Sequence, residues 1–457
     1  MIDRHGCSSQ IKMLSHFNLI VTVVLLLSPA TVCGPAVWAE TSKRDGVIVE
    51  TGPSKNLVLP KPYASPSVRN RSKVIGWPEG MTPRALPGFE VNLYADNLDS
   101  PRRAYVLPNK DVLVVESSRE FNRRWGRRAR RRRPRPPSAN QITLFRDADQ
   151  DGRPEVRKVF LMGLKMPFGL LLHGNFLYVA NTDGLLRFPY KTGQTRITTA
   201  GEKLLDLPAG GHYTRNIIAN GDGSKLYIAV GSSSNVDKDG DDAKDPRRAA
   251  ILEINPDGSG MRVFANGLRN PVGMSWEPAT KSLWTVVNER DRLGDQLVPD
   301  FLTRVREGSF YGWPYSYFGQ NEDPRKKGER PDLVAKAVVP DFALGSHVAP
   351  LGLAFYTGTT FPEQYRGGAF IGMHGSWNRS QLVGYKVVFV PFKSGKPRGE
   401  IKDFLTGFIA DKQAVKVYGR PVDVTVTPDG SLLVTDDRGG KVWQVSYTAA
   451  PTFSRNP

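Results

Sequence analysis

A short pattern that recurs six times is the feature that most constrains this sequence. In each copy, a turn rich in Gly, Asp, Asn or Pro precedes a short and mostly apolar strand. The six copies are LPNKDVLVVES (107–117), HGNFLYVANTDG (173–184), NGDGSKLYIAVGS (220–232), EPATKSLWTVVNE (277–289), YRGGAFIGMHGS (365–376) and TPDGSLLVTDDRGG (427–440). One copy is too short to bury its own apolar face, so the copies are expected to stack on one another as an internal repeat.

The spacing of these units indicates the fold class. Short strands at regular intervals, separated by turn signals, are typical of β-sandwiches, barrels and propellers. No amphipathic helix longer than a few turns is predicted between 86 and 449. The length of each repeat favours an all-β fold, a six-bladed β-propeller of four-stranded antiparallel sheets. We also predict that the final strand, 441–445, pairs with 89–93 and closes the ring.

The first 39 residues are predicted to be a cleaved signal peptide. A positive segment precedes an apolar run at 19–27, and a cleavage signal ends at Ala39. The protein is therefore expected to be periplasmic or secreted; an uncleaved membrane anchor is the alternative. Both cysteines, Cys7 and Cys33, precede the cleavage point. A mature chain without cysteine excludes disulfides, cysteine nucleophiles and zinc–thiolate sites.

The rest of the chain is divided into three parts by its composition. Residues 40–84 lack a steady period and are predicted to be a polar N-terminal tether, 85–449 the propeller, and 450–457 a C-terminal tail. An arginine-rich insertion at 123–137 contains nine arginines and no acidic residue. These arginines supply half of the net charge of +18. Such a segment suits nucleic acid, but export argues against that partner. An anionic surface, an acidic protein, or solvent alone are the alternatives.

Several polar residues lie in loops that a simple turn does not require. Three histidines are surrounded by Gly and Ser, and two segments carry an arginine in a tight loop. These candidates are His212 in GGHYTRN, His347 in GSHVAP, His374 in MHGSWNR, Arg269 and Asn270 in NGLRNPVG, and Arg420 in GRPVDV. The histidines either share a site or lie on the surface. The arginines either clamp carboxylates or form salt bridges between blades.

Two acidic loops are candidates for calcium. Asp147, Asp149 and Asp151 precede Gly152, which matches the first half of a calcium-binding loop. The glutamate expected six residues after Gly152 is replaced by Lys158. NVDKDGDD at 235–242 is a second partial match. Aspartates also close turns by hydrogen bonding to their own backbone, so turn formation is the alternative at both loops.

An ordered set of motifs resembles the glucose/sorbosone dehydrogenase family, over about residues 86–448. The motifs are GGHYTRNI, NGLRNPVGMSW, NERDRLGDQLVPDFLTRVREGSFYGWPYSY, HVAPLGLAFY, MHGSWNRS with GYKVV, and GRPVDVTVTPDGSLLVTDD. The resemblance implies a six-bladed propeller with pyrroloquinoline quinone (PQQ) and Ca²⁺. It also implies oxidation of a sugar or sugar-derived aldehyde by hydride transfer to the quinone. The sequence is more similar to the sorbosone-dehydrogenase-like branch than to soluble glucose dehydrogenase.

The resemblance also implies roles for single residues. His212 matches the general base, Arg269 and Asn270 the pair that holds the quinone, and Arg420 the first arginine of a cofactor clamp. Arg290 and Asp291 match the position whose backbone carbonyls hold calcium. His374 lies near a lysine position of the glucose enzymes. His347 and Arg102 are further candidates for contact with the cofactor. Three positions depart from the family: the second clamp arginine is Val422, an expected aspartate falls near Ser232, and the lysine is replaced in the MHGSWN segment.

Two other functions remain open from the sequence. The first alternative is a propeller binding module without redox activity, since the fold alone does not fix function. The second is a calcium-dependent lactonase-like hydrolase. Lactonase sites usually need several inward carboxylates, whereas the candidates here are mainly His and Arg. For an oxidoreductase, the electron acceptor is expected to be a cytochrome or a quinone. No nucleic-acid partner is expected.

Overall fold

The computed structural model describes residues 48–119, 138–237 and 240–448. The predicted signal peptide, the arginine-rich insertion and the C-terminal tail lie outside these residues. Within these residues the α-helices are two short segments, α1 (Asp241–Lys244) and α2 (Pro331–Lys336), and Ser54–Asn56 and Glu363–Tyr365 form 3₁₀ turns. Within the ranges given, no helix combines the length and the apolar composition needed to cross a bilayer.

In the described ranges, six antiparallel sheets of four strands form the blades, and two of these sheets are extended by a fifth strand. Three smaller sheets of two or three strands lie outside the blades. Before the first complete blade come β1 (Thr51–Pro53), β2 (Lys73–Val74), β3 (Arg84–Ala85) and β4 (Phe89–Ala95). Blade 1 contains β5 (Pro101–Val106), β6 (Val112–Glu116), β7 (Gln141–Arg146) and β8 (Val156–Leu161). Blade 2 contains β9 (Gly169–His173), β10 (Phe176–Asn181), β11 (Gly184–Pro189) and β12 (Glu202–Asp206). Blade 3 contains β13 (Ile217–Ala219), β14 (Leu226–Val230), β15 (Ala250–Ile254) and β16 (Arg262–Asn266).

The second half of the ring carries longer excursions. Blade 4 contains β17 (Pro271–Trp276), β18 (Leu283–Val287), β19 (Pro299–Arg304) and β22 (Phe342–Ser346), with a hairpin of β20 (Ser316–Tyr317) and β21 (Asn321–Glu322) inserted. Blade 5 contains β23 (Pro350–Phe355), β24 (Ala369–Met373), β25 (Lys386–Val390) and β28 (Lys402–Thr406), with the hairpin β26 (Phe392–Lys393) and β27 (Lys396–Pro397). After β29 (Ile409–Asp411) and β30 (Lys416–Val417), blade 6 contains β31 (Pro421–Val426), β32 (Leu432–Asp436) and β33 (Lys441–Tyr447).

The predicted propeller is confirmed, and each repeat copy is the second strand of a blade with its preceding turn. These strands are β6, β10, β14, β18, β24 and β32. All are almost fully buried, for example Val112–Glu116 and Leu226–Val230. A strand buried on both faces carries a continuous apolar run. This explains why the second strand of each blade is visible in the sequence.

The predicted closure of the ring is also confirmed. β33 pairs antiparallel with β4, with Trp443 opposite Leu93 and Val445 opposite Val91. Blade 6 therefore combines three strands from late in the chain with one from early in it. The joint lies in a core that includes Trp443 and Val445 together with Phe89.

The innermost strands of the blades, β5, β9, β13, β17, β23 and β31, contact one another around the axis. Close approach needs glycine: a Cβ at Gly352 would lie 2.6 Å from the carbonyl oxygen of Val422 in the next blade. Along the axis, one apolar layer is formed by Phe168, Val272, Leu351 and Val422. This packed layer lies beneath the loops described next.

Residues 40–84 are predicted to be a polar tether, but the described part, 48–84, is packed against the propeller. β1 pairs with β22 as a fifth strand of blade 4, and β3 pairs with β28 as a fifth strand of blade 5. Trp77 donates a hydrogen bond to Asp436 (Nε1 to Oδ2, 2.7 Å) and packs against Trp443. The interpretation as a tether is wrong for this stretch because its partners lie hundreds of residues away, where no local pattern indicates them.

Candidate active site

All of the candidates for the sugar and cofactor site lie at one end of the ring. Within a blade, the start of the inner strand and the end of the second strand lie side by side because the two are antiparallel. His212, Arg269, Asn270, His347 and Arg420 precede inner strands, Arg102 opens one, and Arg290, Asp291 and His374 follow second strands. Residues from five blades are thereby brought to the same mouth of the channel.

His212 is held in one orientation by Ser232. Its Nδ1 lies 3.0 Å from both the carbonyl oxygen and the Oγ of Ser232. Since the carbonyl can only accept, Nδ1 carries the proton in the neutral ring and Nε2 has a free lone pair. Burial, followed by the positive charge of Arg269, lowers the pKa of His212 well below 6.5. The ring is therefore neutral near pH 7 and able to accept a proton.

The loop that carries His212 is fixed from below by Arg215, which is fully buried. Its Nη1 donates to the carbonyl oxygens of His212 and Thr214, each at 2.7 Å, and its Nη2 donates to that of Pro208 at 2.6 Å. Burial lowers the pKa of Arg215 to about 9. The buried guanidinium thus sets the path of residues 208–214.

Arg269 joins three segments of the mouth. Its guanidinium donates to the carbonyl oxygen of Glu289 (2.7 Å) and to Oδ1 of Asn235 (2.9 Å). Asn235 in turn donates to the carbonyl oxygen of Asp291 (3.0 Å). The neighbouring Asn270 is buried, and its Oδ1 has no hydrogen-bond partner among the described residues. Asn235 is the first residue of the second candidate calcium loop, 235–242. At the mouth, its side chain bonds to both Arg269 and Asp291 and orders them.

The 289–291 segment offers both backbone carbonyls and one carboxylate to its neighbours, since Glu289 and Asp291 accept through their carbonyl oxygens and Asp291 also accepts through Oδ1. The side chain of Arg290 is buried and paired with Asp323. The Asp291 carbonyl oxygen accepts one hydrogen bond, from Asn235, and a carbonyl oxygen has a second lone pair for a metal ion. Behind this segment, burial raises the pKa of Glu289 to about 7 and that of Asp300 to about 8.

His347 has protein partners at both ring nitrogens. Nε2 lies 3.1 Å from the carbonyl oxygen of Gly294, and Nδ1 lies 3.1 Å from Nδ2 of Asn378. Nε2–H therefore donates to the carbonyl, and Nδ1 accepts from the amide. His347 orients Asn378, whose amide also donates to Asp291. The predicted contact of His347 with a cofactor stays a prediction.

A second buried group combines Arg102, His374 and Asp437. Asp437 accepts from Nη1 of Arg102 (2.6 Å) and from Nε2 of His374 (2.8 Å). Burial and the nearby Arg420 lower the pKa of His374 to about 3, so the ring is neutral and Nε2 carries its proton. Burial opposes ionisation of Asp437, but His374 and Arg102 hold its pKa below the usual range.

Arg420 completes this group. Its Nε donates to the carbonyl oxygen of His374 (2.8 Å), and its guanidinium lies 5.1 Å from the ring centre of Tyr385. Sequence reasoning missed Asp437, Asn235 and Asn378. The only signal for Asp437 was an acidic pair directly after a buried strand.

Two of the departures from the family pattern, Val422 and Ser232, have structural uses. Val422 is fully buried in the apolar layer beneath the mouth. Ser232 is fully buried and orients His212, and its own hydroxyl donates to the carbonyl oxygen of Ser234 (2.7 Å).

The candidate calcium loop lies at the opposite end of blade 1, in the turn between β7 and β8. Carboxylate oxygens of Asp147, Asp149, Asp151 and Glu155 lie within 4.8 Å of one another. Sequence reasoning missed Glu155 because it sought the bidentate ligand at position 158. Backbone N–H groups of the loop already bond to these carboxylates, for example Gly152 to Asp147 at 2.9 Å. The second calcium site stays a prediction.

Comparison with known proteins agrees with the motif set. The model of the family described as Glucose / Sorbosone dehydrogenase matches residues 186–444. An uncharacterized protein of Borreliella burgdorferi is 33% identical over 310 residues, which cover 64% of this chain and 79% of that protein. Aldose sugar dehydrogenase YliI of Escherichia coli is 30% identical over 271 residues, covering 55% of this chain and 64% of that protein.

A solved structure supports the fold. The holo form of the pyranose dehydrogenase PQQ domain from Coprinopsis cinerea superposes with a TM-score of 0.64 at 21% identity, covering 82% of this chain and 100% of that one. At this level of identity the similarity concerns the propeller itself.

Proposed function

The chain belongs to the glucose/sorbosone dehydrogenase family, and on that basis we propose that it is a PQQ- and Ca²⁺-dependent oxidoreductase acting on a sugar or sugar-derived aldehyde. The observation that carries the proposal is His212: a neutral imidazole at the channel mouth, near Arg269, whose Nε2 has a lone pair available. A general base that takes a hydroxyl proton needs this protonation state near pH 7.

The residues of the mouth fit a quinone with three carboxylates. Arg102, Arg269 and Arg420 supply positive charge, and arginine suits carboxylate recognition. Two buried polar atoms, Nε of Arg102 and Oδ1 of Asn270, have no hydrogen-bond partner in the described part of the chain. Buried polar atoms normally have partners. A polar ligand at the mouth would supply an acceptor for the Nε–H of Arg102 and a donor for Oδ1 of Asn270.

Bound PQQ would supply a carbonyl carbon that accepts hydride. The chain's own contribution is then orientation and proton transfer. Nε2 of His212 takes the hydroxyl proton, while Ser232 keeps Nδ1 protonated and the ring fixed. Arg102 and Arg420 offer charge to the cofactor carboxylates, and Asn270 offers its amide. The carbonyl oxygens of Arg290 and Asp291 are the proposed calcium ligands, and calcium would act as a Lewis acid.

The cellular setting is part of the proposal. We propose a periplasmic or secreted protein that passes electrons to a cytochrome or a quinone. The arginine-rich insertion would then face an anionic surface or an acidic protein. These statements rest on the sequence features at 1–39 and 123–137 alone.

The test is a titration of the purified chain with PQQ, with and without Ca²⁺, followed by absorbance and then by dye reduction with a panel of aldoses. We expect stoichiometric, calcium-dependent binding. His212→Gln should keep PQQ affinity and lose turnover by about 10²–10⁴-fold, the usual contribution of a general base. His173→Gln, at the last residue of β9 and therefore at the opposite end of that inner strand from the mouth, is the matched control.

Other outcomes would favour the alternatives. Absence of PQQ binding at micromolar concentration, together with tight binding of an acidic partner, would favour the binding module. Lactone hydrolysis that needs calcium but no quinone would favour the hydrolase. Normal turnover of His212→Gln would remove the base assignment.

A further inference from the structure

Residues 48–77, here called the strap, cross the site end of the ring over blades 4, 5 and 6. The strap contacts the loops of these blades in chain order. The N–H of Tyr63 donates to the carbonyl oxygen of Leu293, and Oγ of Ser65 accepts from the N–H of Asp295 (2.8 Å). Further along, the N–H of Ile75 donates to the carbonyl oxygen of Val417 (2.9 Å).

One loop of blade 5, residues 377–380, is held by the strap on both sides of Asn378. Asn70 donates from its backbone N–H to the carbonyl oxygen of Trp377 (2.8 Å) and from Nδ2 to that of Ser380 (2.9 Å). Glu50 accepts from Nη2 and Nη1 of Arg379, at 2.6 and 3.0 Å. This bidentate pair is largely buried, with side chains 19% and 13% exposed. Paired N–H···O bonds of this kind fix orientation as well as distance.

Asn378, between these anchors, faces the candidate site. It is 5% exposed, and its amide contacts Oδ1 of Asp291 and Nδ1 of His347. Asp291 is the residue whose backbone carbonyl is a proposed calcium ligand. A continuous series of contacts therefore runs from Glu50 through residues 378–379 to the 290–291 segment.

Asp295 forms a second junction between the same loops. Its carboxylate accepts from the N–H and the Oγ of Ser380, both at 2.6 Å, and its own N–H donates to Ser65 of the strap. The loop of blade 4 and the loop of blade 5 are thus joined to each other and to the strap. Loops are the least stable parts of a fold, and binding groups need support that restricts their movement.

We propose that the strap positions part of the cofactor site without contacting the ligand. Glu50 and Asn70 hold residues 377–380 in place, and Asn378 in turn fixes the 290–291 segment. The inference deepens the proposed function and rests on it for the identity of the ligand. Glu50 and Asn70 are positioning residues, since they act through Asn378 rather than on the ligand.

The test compares Glu50→Arg, Asn70→Ala and the charge swap Glu50→Arg with Arg379→Glu. Ser54→Ala is the matched control, because Ser54 is a strap residue that bonds to Pro340 at the outer edge of blade 4. The first measurement is amide hydrogen exchange of residues 288–296 and 374–380 in the ligand-free protein. The second is the dissociation constant for PQQ with Ca²⁺.

We expect Glu50→Arg to accelerate exchange in both loops by at least about tenfold and to weaken PQQ binding by a similar factor, that is, about 1.4 kcal/mol. The charge swap should restore most of both losses, and Asn70→Ala, the milder change, should show the same direction. Ser54→Ala should resemble the unmodified protein in both measurements.

Unchanged exchange in Glu50→Arg and Asn70→Ala would overturn the inference. Faster exchange with unchanged PQQ affinity would overturn it as well, since the loops would then not need the strap for binding. If the unmodified protein binds no PQQ, the proposed function fails. Hydrogen exchange then tests the positioning role of the strap by itself. Faster exchange in Glu50→Arg that the charge swap reverses supports this role, and unchanged exchange refutes it. If Glu50→Arg does not fold, Asn70→Ala decides by the same criteria.

Discussion

Replacing Asp437 with Asn should strongly destabilise the protein. Both carboxylate oxygens are engaged, one by Arg102 and the other by His374, and the side chains of Asp437 and Arg102 are each 6% exposed. The substitution removes the negative charge and leaves a buried guanidinium without its counter-charge. Breaking a buried ion pair in this way costs about 3–5 kcal/mol. Because Asn keeps one acceptor oxygen, we expect a loss near the lower end, about 3 kcal/mol.

The effect should depend on pH with a definite sign. The folded pKa of Asp437 lies below its unfolded value, which is about 3.9 for a free aspartate. A lowered carboxyl pKa stabilises the folded state above the unfolded pKa, and this contribution is lost as the pH falls through the folded pKa. The difference between the unmodified protein and Asp437→Asn should therefore be full at pH 7 and shrink below about pH 4.

Urea unfolding followed by tryptophan fluorescence at pH 7 and pH 3.5 measures both statements. Asp183→Asn is the control, since its pair with Lys165 is exposed, 32% and 60%, and should contribute about 0–1 kcal/mol. If the loss for Asp437→Asn at pH 7 is no greater than that of the control, water reaches the pair and the burial argument is refuted. A loss that grows at pH 3.5 would refute the linkage argument.

Two further predictions, each with a control variant, concern the loop that carries His212 and the strap. Arg215→Met removes a buried charge that helps to lower the pKa of His212, so the acid limb of the kcat/KM pH profile should move to higher pH. Arg215→Lys keeps the charge and should lower kcat with little movement of that limb. Coincident pH profiles of the two variants would contradict this prediction. Trp77→Ala should cost about 3 kcal/mol in urea unfolding, because it loses both an aromatic contact with Trp443 and a bond to Asp436. Ile75→Ala, 47% exposed, should cost under about 0.5 kcal/mol, and equal losses would show that the strap is held elsewhere.

The blade architecture could be predicted because its signal is local. The second strand of every blade is buried on both faces, so six apolar runs stand out behind six turns. The outer strands carry no such signal: in Val156–Leu161 the middle residues are exposed and only the last two are buried. The strap had no local signal either, since its contacts join Glu50 to Arg379 and Trp77 to Asp436.

The site could be predicted only where residue type is unusual for a loop. Histidines and arginines within glycine-rich loops are such residues. The structure brings four of them to one mouth of the channel: His212, Arg269, His374 and Arg420. Asp437 and Asn378 were missed because Asp and Asn are ordinary turn residues. Their importance comes from neighbours in other blades, and no spacing within the chain encodes it.

The closure of blade 6 has a consequence for how the protein is made. β4 is synthesised early, but its partner β33 is among the last described strands to leave the ribosome. Until then β4 is a strand with an open edge, which is a site for pairing with other chains. Contacts this distant in sequence also slow folding. Assembly of the ring should therefore be a late, whole-chain event, in which blades 1 to 5 form an open arc until β33 pairs with β4.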